Sequence, residues 1–439
     1  MESAIRSHLL LKSKNEASSE HLWGNRVLVS KDVHMNLTLL LDLDDTLLDT
    51  NMEAFLSAYF QSLASFLSPY IEPELMLASL IKGTRKMMED LDPNTTLREV
   101  FDPEFFPNFD VSRDVLAERI DEFYADVFPT LEHVIRKNEH AVPFIEWAVE
   151  QGYRLAIATN PLFPLVAIHH RMRWAGLPPE KYPFEIVSAY EEFHFSKPNA
   201  AYYAEVAARM GWPEGPIVVV GNDVRADLTP AQMLGFPTFW IDSGAEDESG
   251  FEPTARGSLA DLRPWLETTD LSKLEPDFST PEALIALMLA TPAAISGLLP
   301  SLSKQGQAEG PDLRRRPVST EWNLTEVLCH LRDTELEINL PRLRMLLELD
   351  EPFIPVRNTD KWADEREYLS QDAVLALRDF VTARMKTVDI LRSLTYEWQH
   401  KARHGIFGPT NLQELVKFMV EHDKLHIRQI WSTIQQLTG

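Results

Sequence analysis

Five short, nearly continuous apolar runs occur in the first 242 residues of the chain, at 37–43, 154–159, 185–189, 217–220 and 238–241. Apolar runs of this length without alternation are typical of strands that are buried on both faces. Helical patterns lie between the later runs, for example at 198–210 and 229–234. Strands that alternate with helices predict an α/β domain, in which a parallel sheet has helices on both faces.

The interval between the first and second runs breaks this alternation. Its apolar spacing predicts three helices, at 52–67, 73–91 and 111–127. An interval of this length is too long for a loop in a compact domain. We therefore expect an inserted helical cap at about 50–144, with the core of the α/β domain formed by 36–49 and about 145–266.

A second, all-helical region is predicted after a polar stretch at 243–250 and a last core helix at 259–266. We place a linker at 267–279 and a separate four-helix bundle, with no strand, at 280–439. Thr280 is a suitable N-cap for its first helix, and Pro281 a suitable first residue. The predicted helices are 281–302, kinked or split at Pro292, then 323–347 with a capping box of Asn323 and Glu326, then 374–391 and 412–437.

The first 34 residues show neither sustained periodicity nor the organisation of a signal peptide. Met35 lies two residues before the first predicted strand. Two interpretations stay open for 1–35: a disordered extension, or a start site assigned too early.

Candidate chemistry begins where the first predicted strand ends, at Asp42-Leu43-Asp44. In an open parallel sheet, ligands bind just beyond the carboxyl ends of the strands. A carboxylate such as Asp42 can attack phosphorus to form an aspartyl-phosphate, and a second one such as Asp44 can donate a proton to the leaving oxygen.

Later strand ends supply the other groups that this reaction needs. Thr159 and Asn160 are suited to holding phosphate oxygens, and Lys197 can offset negative charge. Asp223 and Asp227 follow the fourth run and add two carboxylates. Carboxylates gathered around a phosphate require a cation, and hard oxygen ligands favour Mg²⁺.

With these motifs in this order, residues 37–242 resemble the haloacid dehalogenase-like (HAD) superfamily, which implies a Rossmann-like core. The inserted helices resemble the C1-type cap of that superfamily, which covers the active site and selects the substrate. The resemblance implies the following roles: Asp42 as nucleophile, Asp44 as general acid/base, Thr159 as phosphate-binding hydroxyl, Lys197 as the motif-three lysine, Asp223 and Asp227 as the acidic pair, and Asp42 and Asp44 as further Mg²⁺ ligands.

One position departs from the superfamily pattern. The commonest fourth motif has aspartate directly after the glycine, where this chain has Asn222. Which of Asn222, Asp223 and Asp227 contacts Mg²⁺ therefore stays open. Dehalogenating members lack the acid that Asp44 provides, so the resemblance favours phosphate-ester hydrolysis over carbon–halogen cleavage.

A second candidate site consists of three histidines in the predicted bundle. His422 and His426 are four residues apart on one helix, so both project from the face that should line the interior. His330 on a facing helix can join them and leave open positions, as in a Zn²⁺, Ni²⁺ or related divalent site. The alternative is a hydrogen-bonded core histidine, which is the more common role of a lone histidine such as His330, and the pair His422 and His426 leaves both interpretations open. No HExxH glutamate is present, which excludes a zincin peptidase.

Residues 280–439 resemble the DinB/YfiT-like superfamily of four-helix metal proteins. The motifs that carry the resemblance are 321–323, 326–331 and 421–426. It implies that His330, His422 and His426 bind a divalent metal, and that a low-molecular-weight thiol or small ligand binds there. Two alternatives to the phosphatase stay open: a regulatory or binding protein, and a thiol transferase in which the bundle carries the main activity.

Composition limits the class of partner. The chain has 42 basic and 67 acidic residues among 439, a net charge of −25, which repels nucleic-acid backbones. No apolar run reaches the ~18 residues of a membrane span. The single cysteine, Cys329, fits a reducing cytoplasm. We expect a cytoplasmic enzyme acting on a small phosphorylated metabolite, with its oligomeric state open and a homodimer among the options.

Overall fold

The structure is a computed structural model that describes residues 36–242, 250–299, 312–319 and 321–438. The expectations about residues 1–35, the polar stretch at 243–249 and the predicted helical residues 300–302 lie outside the described residues.

The described strands fall into three sheets. They are β1 (Thr38–Leu41), β2 (Leu48–Thr50), β3 (Ile135–Lys137), β4 (Arg154–Ile157), β5 (Phe184–Val187), β6 (Ile217–Gly221), β7 (Thr238–Ile241), β8 (Ala255–Gly257), β9 (Phe353–Ile354), β10 (Lys401–His404) and β11 (Gly408–Asn411).

The described α-helices belong to the cap, the sheet layers and the C-terminal region. They are α1 (Met52–Leu67), α2 (Pro73–Glu89), α3 (Leu97–Phe105), α4 (Arg113–Glu122), α5 (Ala141–Glu150), α6 (Leu165–Trp174), α7 (Ala200–Arg209), α8 (Thr229–Met233), α9 (Leu259–Thr268), α10 (Pro281–Leu298), α11 (Leu324–Thr334), α12 (Leu340–Glu348), α13 (Trp362–Glu365), α14 (Ala373–Arg392) and α15 (Leu412–Thr438).

The main sheet has the order β5-β4-β1-β6-β7-β8, and all its neighbours are parallel. β1 is central, with Leu39 between Leu155 and Val218, and all four of its residues are buried. This confirms the predicted α/β core. Because β4 and β6 continue the sheet on opposite sides of β1, the carboxyl end of β1 faces the crevice in which such sheets bind ligands.

The insertion after β1 is helical, as predicted, but contains one helix more than the sequence pattern indicates. α3 begins at a capping box formed by Thr96 and Glu99. Its sequence includes Pro103 and follows a turn-forming stretch at 92–94, so the pattern there is typical of a loop. The antiparallel pair β2–β3 lies at the base of the cap.

The C-terminal region is a four-helix bundle, which confirms the predicted fold class. Its helices are α10, α11 with its continuation into α12, α14 and α15. Asn323 and Glu326 form the predicted capping box, and α10 runs through Pro292 without a break. The expectation of no strand was wrong, because β9, β10 and β11 form a small sheet beside the bundle. In β10 the exposed Lys401 and Arg403 alternate with Ala402 and His404, which are buried but not strongly apolar, so the four residues give a weak strand signal.

One described helix, α10, is long and apolar enough to cross a membrane by length and composition alone. The expectation that no apolar stretch reaches the length of a membrane span therefore does not hold for α10 by length and composition. In the structure 67% of that stretch is buried, and α10 packs against α7, α14 and α15. α10 therefore behaves as a core helix.

The α/β region and the bundle share one apolar core. All ten residues of α7 are buried, because α10 covers the face that points away from the sheet. In the predicted linker, Phe278 packs its ring 5.7 Å from that of Trp212 and 5.6 Å from that of Phe236. The ammonium of Lys424, on α15, lies 4.5 Å from the centre of the Phe278 ring, so the chain between the two regions contacts both of them.

Gly211 tests this shared core. It has a φ of +76°, and an added Cβ would lie 2.7 Å from Trp431 of α15. Gly152 has a similar φ of +73° with nothing within 4 Å. We expect Gly152→Ala to lower the free energy of unfolding by about 1–2 kcal/mol, from backbone strain alone. Gly211→Ala should cost about 1–3 kcal/mol more, from overpacking. Urea unfolding measures both, and equal losses would contradict a tight contact at Trp431.

Candidate active site and metal centre

Asp42 follows β1 directly, and its side chain is held from two sides. It is buried, with 6% of its surface exposed. Its Oδ1 accepts a hydrogen bond from the Lys197 ammonium at 2.7 Å, and its Oδ2 accepts one from the Thr46 hydroxyl at 3.2 Å. The carboxylate is therefore oriented at the mouth of the crevice.

Lys197 links this carboxylate to the fourth strand end. Its ammonium also donates to Asp227 Oδ1 at 2.5 Å, an atom that accepts from the Tyr203 hydroxyl at 3.2 Å. Although burial opposes the charge, Asp227 and Asp42 hold the pKa of Lys197 well above its usual value. Burial and the charge of Asp42 raise the pKa of Asp227 to about 6. Tyr203 was not predicted as a site residue. It lies on α7, the helix that directly follows the loop carrying Lys197.

Asp44 lies on the turn after β1, but its carboxylate points to a different partner. Its Oδ1 accepts from the Thr50 hydroxyl at 3.0 Å, and its Oδ2 forms an ion pair with the guanidinium of Arg171. Arg171 is a residue of α6 that the sequence analysis missed, and it is only 2% exposed. Burial lowers the pKa of Arg171 to about 10, against the effect of Asp42, so it is a cation at neutral pH.

The predicted phosphate-binding residues lie at the end of β4. Thr159 is buried, and its carbonyl accepts from the hydroxyls of Ser188 and Tyr202, each at 2.7 Å. The Asn160 side chain accepts from the backbone N–H of Lys197 at 3.2 Å. These bonds tie the second and third motifs to each other.

The two acidic residues after β6 have different surroundings. Asp223 is exposed, and its Oδ1 accepts the backbone N–H groups of Arg225 and Ala226, both at 2.8 Å. Asp227 is buried, and its Oδ2 accepts the Asp223 N–H at 3.1 Å. Gly221 makes this approach possible, because a Cβ there would lie 2.4 Å from Asp227 Oδ2.

The structure thus gathers some of the predicted carboxylates and separates others. Asp42 and Asp227 meet at Lys197, whereas Asp44 pairs with Arg171 and Asp223 faces solvent. Among the described residues, no three of these carboxylates bring ligand atoms within 4.8 Å of one another.

The three bundle histidines do converge. Their ligand atoms lie within 4.8 Å of one another, and His422 Nε2 lies 3.1 Å from His330 Nε2 and 3.2 Å from His426 Nε2. Burial lowers the pKa of His422 to about 4 and, with His422, that of His426 to about 3. Burial, together with His426 and His422, also holds the pKa of His330 far below its usual value, so all three are neutral near pH 7, as metal ligation requires.

The surroundings of the histidines orient them. If His426 Nδ1–H donates to Gln429 Oε1, which lies 3.0 Å away, Nε2 is left as a lone pair that faces the centre. The ring of Trp322 lies 5.0 Å from that of His330 and nearly parallel to that of His426. This donor set fits a divalent metal with three protein ligands and an open side.

A buried ionic network lies next to this centre. Arg384 of α14 is fully buried and donates to Glu335 Oε2 at 2.9 Å and to both carboxylate oxygens of Asp423. Asp423 follows His422 directly. Arg384 was not predicted as part of a site, because a charged residue in a helix normally faces solvent.

Fold and site together define an α/β domain with a parallel sheet, a helical cap and a carboxylate-rich site, joined to a helical bundle with a three-histidine centre. Residues 37–235 match the family model for haloacid dehalogenase-like hydrolases, and residues 290–430 match that for the DinB superfamily. These matches confirm both predicted resemblances: one region of the chain is similar to haloacid dehalogenase-like hydrolases and the other to the DinB superfamily.

Two curated relatives match part of the chain. They are (S)-2-haloacid dehalogenases of Pseudomonas putida and Pseudomonas fluorescens, each 31% identical over 104 residues, which is 23% of this chain. The match spans 42% of the length of each relative.

Solved structures match each half separately. The HAD-hydrolase YfnB of Bacillus subtilis, solved with magnesium, is 22% identical, with a TM-score of 0.34 over 53% of this chain and 99% of its own. A HAD phosphatase from Thermococcus onnurineus is 18% identical, with a TM-score of 0.35 over 52% and 97%. YfiT of Bacillus subtilis, a four-helix bundle, is 18% identical, with a TM-score of 0.31 over 37% and 91%.

Proposed function

We propose that the hydrolase region is a Mg²⁺-dependent phosphatase that hydrolyses a small phosphorylated metabolite through a phosphorylated Asp42. The observation that supports this most is the pair of carboxylates at the carboxyl end of β1. Asp42 is held in place by Lys197 at 2.7 Å, and Asp44, two residues later, is 15% exposed. One carboxylate can attack while the other exchanges protons.

In this reaction, Asp42 attacks phosphorus, and the bond from phosphorus to the leaving oxygen breaks. Asp44 donates a proton to that oxygen. Asp44 then takes a proton from a water molecule that attacks the phosphoryl group, which releases phosphate and restores Asp42. Lys197 orients Asp42 and offsets negative charge, and Thr159 with Asn160 binds phosphoryl oxygens.

The residues at the strand ends fit Mg²⁺, which is commonly held by one or two carboxylates, water and substrate phosphate oxygens. Both oxygens of Asp227 are engaged, with Lys197 and with the Asp223 N–H. Of the acidic pair, we therefore assign direct contact to the exposed Asp223. Asp42 would supply a second ligand oxygen, because the Thr46 hydroxyl on its Oδ2 is a neutral donor that a cation can replace, and Asp44 and Asp227 would be the surrounding acidic residues. When bound, the ion would neutralise charge on the phosphoryl group.

The partial match to the 2-haloacid dehalogenases favours a second candidate, in which Asp42 attacks carbon and halide leaves. The presence of Asp44 argues against the dehalogenase. A halide ion leaves without a proton, so that reaction needs no acid at the position of Asp44.

Hydrolysis assays separate the two candidates. Phosphate release would be followed from p-nitrophenyl phosphate and a panel of phosphorylated metabolites, with Mg²⁺ or with EDTA, and chloride release from 2-chloropropionate. We expect phosphate release that EDTA abolishes. Chloride release alone would replace the phosphatase with a dehalogenase. Inactivity in both assays would favour a regulatory or binding protein.

For the bundle, we propose that His330, His422 and His426 bind one divalent ion, Zn²⁺, Ni²⁺ or another. His422→Ala should lower the metal bound after loading and dialysis at least ~10-fold, because two ligands remain of three. Elemental analysis by mass spectrometry measures this. His140→Ala is the control, since that imidazole is half exposed in the α/β region. Equal metal contents in the wild type and His422→Ala would contradict the site.

The thiol-transferase alternative makes the same centre catalytic toward a low-molecular-weight thiol. Metal-dependent S-transfer that is lost in His422→Ala would support it. A cytoplasmic location is proposed from the single cysteine, Cys329, which is buried and free.

A further inference from the structure

Arg171 is a buried charge that the proposed phosphoryl-transfer steps do not use. It lies within α6 with 2% of its surface exposed. Its guanidinium carbon lies 5.4 Å from the ring centroids of both Phe55 and Phe163. A buried arginine is costly unless an anion pairs with it. The two aromatic faces and the Asp44 carboxylate together stabilise this buried cation.

The position of this guanidinium relates it to the leaving group. Phe55 belongs to α1, the first helix of the cap, and Phe163 follows the phosphate-binding end of β4. Asp44, its partner, is the residue proposed to protonate the leaving oxygen. Arg171 thus lies where the cap meets the core, next to the residue proposed to act on the leaving oxygen.

The ion pair between Arg171 and Asp44 conflicts with proton donation. One Asp44 oxygen pairs with Arg171, and the other accepts from Thr50 at 3.0 Å. A carboxylate in such a pair is stabilised in its charged form and is a poor proton donor. For the first chemical step, another anion has to take over the guanidinium.

A carboxylate of the substrate is suited to this exchange. Arginine binds planar carboxylates through two parallel N–H groups, and Asp44 shows that a carboxylate reaches this guanidinium. Lys197 is engaged by Asp42 and Asp227. In the proposed reaction Lys197 serves Asp42 and the phosphoryl group. Among the described residues of the site, Arg171 is then the buried cation that can bind a second anionic group of the substrate.

We propose that Arg171 binds a carboxylate on the leaving group, so that the substrates are phosphate esters of small hydroxy acids with the ester on the carbon next to the carboxylate. This inference rests on the proposed phosphatase function. Binding of such a substrate would transfer Arg171 from Asp44 to the substrate and free Asp44 for proton transfer.

A matched pair of substrates tests the inference. Phosphoglycolate and ethyl phosphate are both small phosphate monoesters, and phosphoglycolate carries the carboxylate. For the wild type with Mg²⁺, we expect kcat/KM to be at least ~100-fold higher for phosphoglycolate. In Arg171→Gln this ratio should fall to nearly one, and in Arg171→Lys, which keeps the charge, it should be intermediate.

The outcomes distinguish this inference from the proposed function. A wild type that hydrolyses ethyl phosphate or p-nitrophenyl phosphate without preferring phosphoglycolate would overturn the inference and leave the phosphatase intact. A loss in Arg171→Gln that is equal for both substrates would also overturn it, since Arg171 would then only position Asp44. Hydrolysis of no phosphate ester would overturn both. The wild-type comparison decides even if Arg171→Gln fails to fold.

Discussion

Replacing Asp42 with asparagine is expected to lower kcat for phosphate-ester hydrolysis by ~10⁴-fold or more. The amide keeps the size of the side chain but lacks the anionic oxygen that attacks phosphorus. Steady-state hydrolysis of p-nitrophenyl phosphate with Mg²⁺ measures the effect, with circular dichroism to show that Asp42→Asn is folded.

Asp45→Asn is the matched control for this change. Asp45 is three residues further along, and its Oδ1 accepts the backbone N–H of Thr50 at 2.8 Å, which an amide oxygen can also do. Its φ of 51° is one that asparagine adopts readily. We expect Asp45→Asn to keep most of the wild-type activity. Similar kcat values for the two variants would contradict the nucleophilic role of Asp42.

Replacing Arg384 with methionine is expected to lower the free energy of unfolding by about 3–5 kcal/mol, because two buried carboxylates lose their cation. Glu335 and Asp423 are both buried, and Arg384 is the cation that joins them. Glu335 would keep only its hydrogen bonds from Thr387 and Asn339. Urea unfolding followed by circular dichroism measures the loss.

Arg378→Met on the same helix is the control. The Arg378 side chain is 68% exposed and pairs with Asp379 at 3.3 Å. Exposed ion pairs contribute about 0–1 kcal/mol, so the change should be small. Equal losses in the two variants would show that the network around Arg384 does not stabilise the bundle.

The sequence predicts best those elements whose residue pattern follows directly from the burial of apolar side chains. β1 and β7 are apolar on both faces, and α1 has an apolar stripe and a capping asparagine, so its bounds match the prediction. β8 and β9 are three and two residues long and half exposed, so they leave no periodic signal. Their pairing is set by tertiary contacts.

Some residues of the site could likewise be predicted from the sequence, and others could not. Asp42 and Thr159 are recognisable because each follows a largely buried strand, whereas Lys197 lies ten residues after the edge strand β5 and is recognisable from its place in the order of motifs. The order of the strands in the sheet brings the three together. Arg171 and Arg384 lie within helices, where a charged residue normally faces solvent. Their burial depends on partners that are distant in sequence, Asp44 for Arg171 and Glu335 for Arg384. A single sequence carries no signal for such pairs.

The packing of the two regions could not be predicted for a similar reason. The pattern of α7 indicates an amphipathic helix with one solvent face, but Glu205 and Arg209 are both buried in the structure. Glu205 accepts from His194 at 2.8 Å, and Arg209 pairs with Glu192 at 2.7 Å. Their burial follows from the position of α10, which only the folded chain determines.

The central claim is that Asp42 carries the phosphoryl group during turnover, and mass spectrometry of acid-quenched enzyme tests it most directly. The wild type and Asp42→Asn would be mixed with phosphorylated substrate and Mg²⁺, quenched within one turnover and digested. We predict a phosphoryl mass increment on Asp42 in the wild type and none in the variant. Turnover of the wild type with an unmodified Asp42, or with the increment on another residue, would contradict the account.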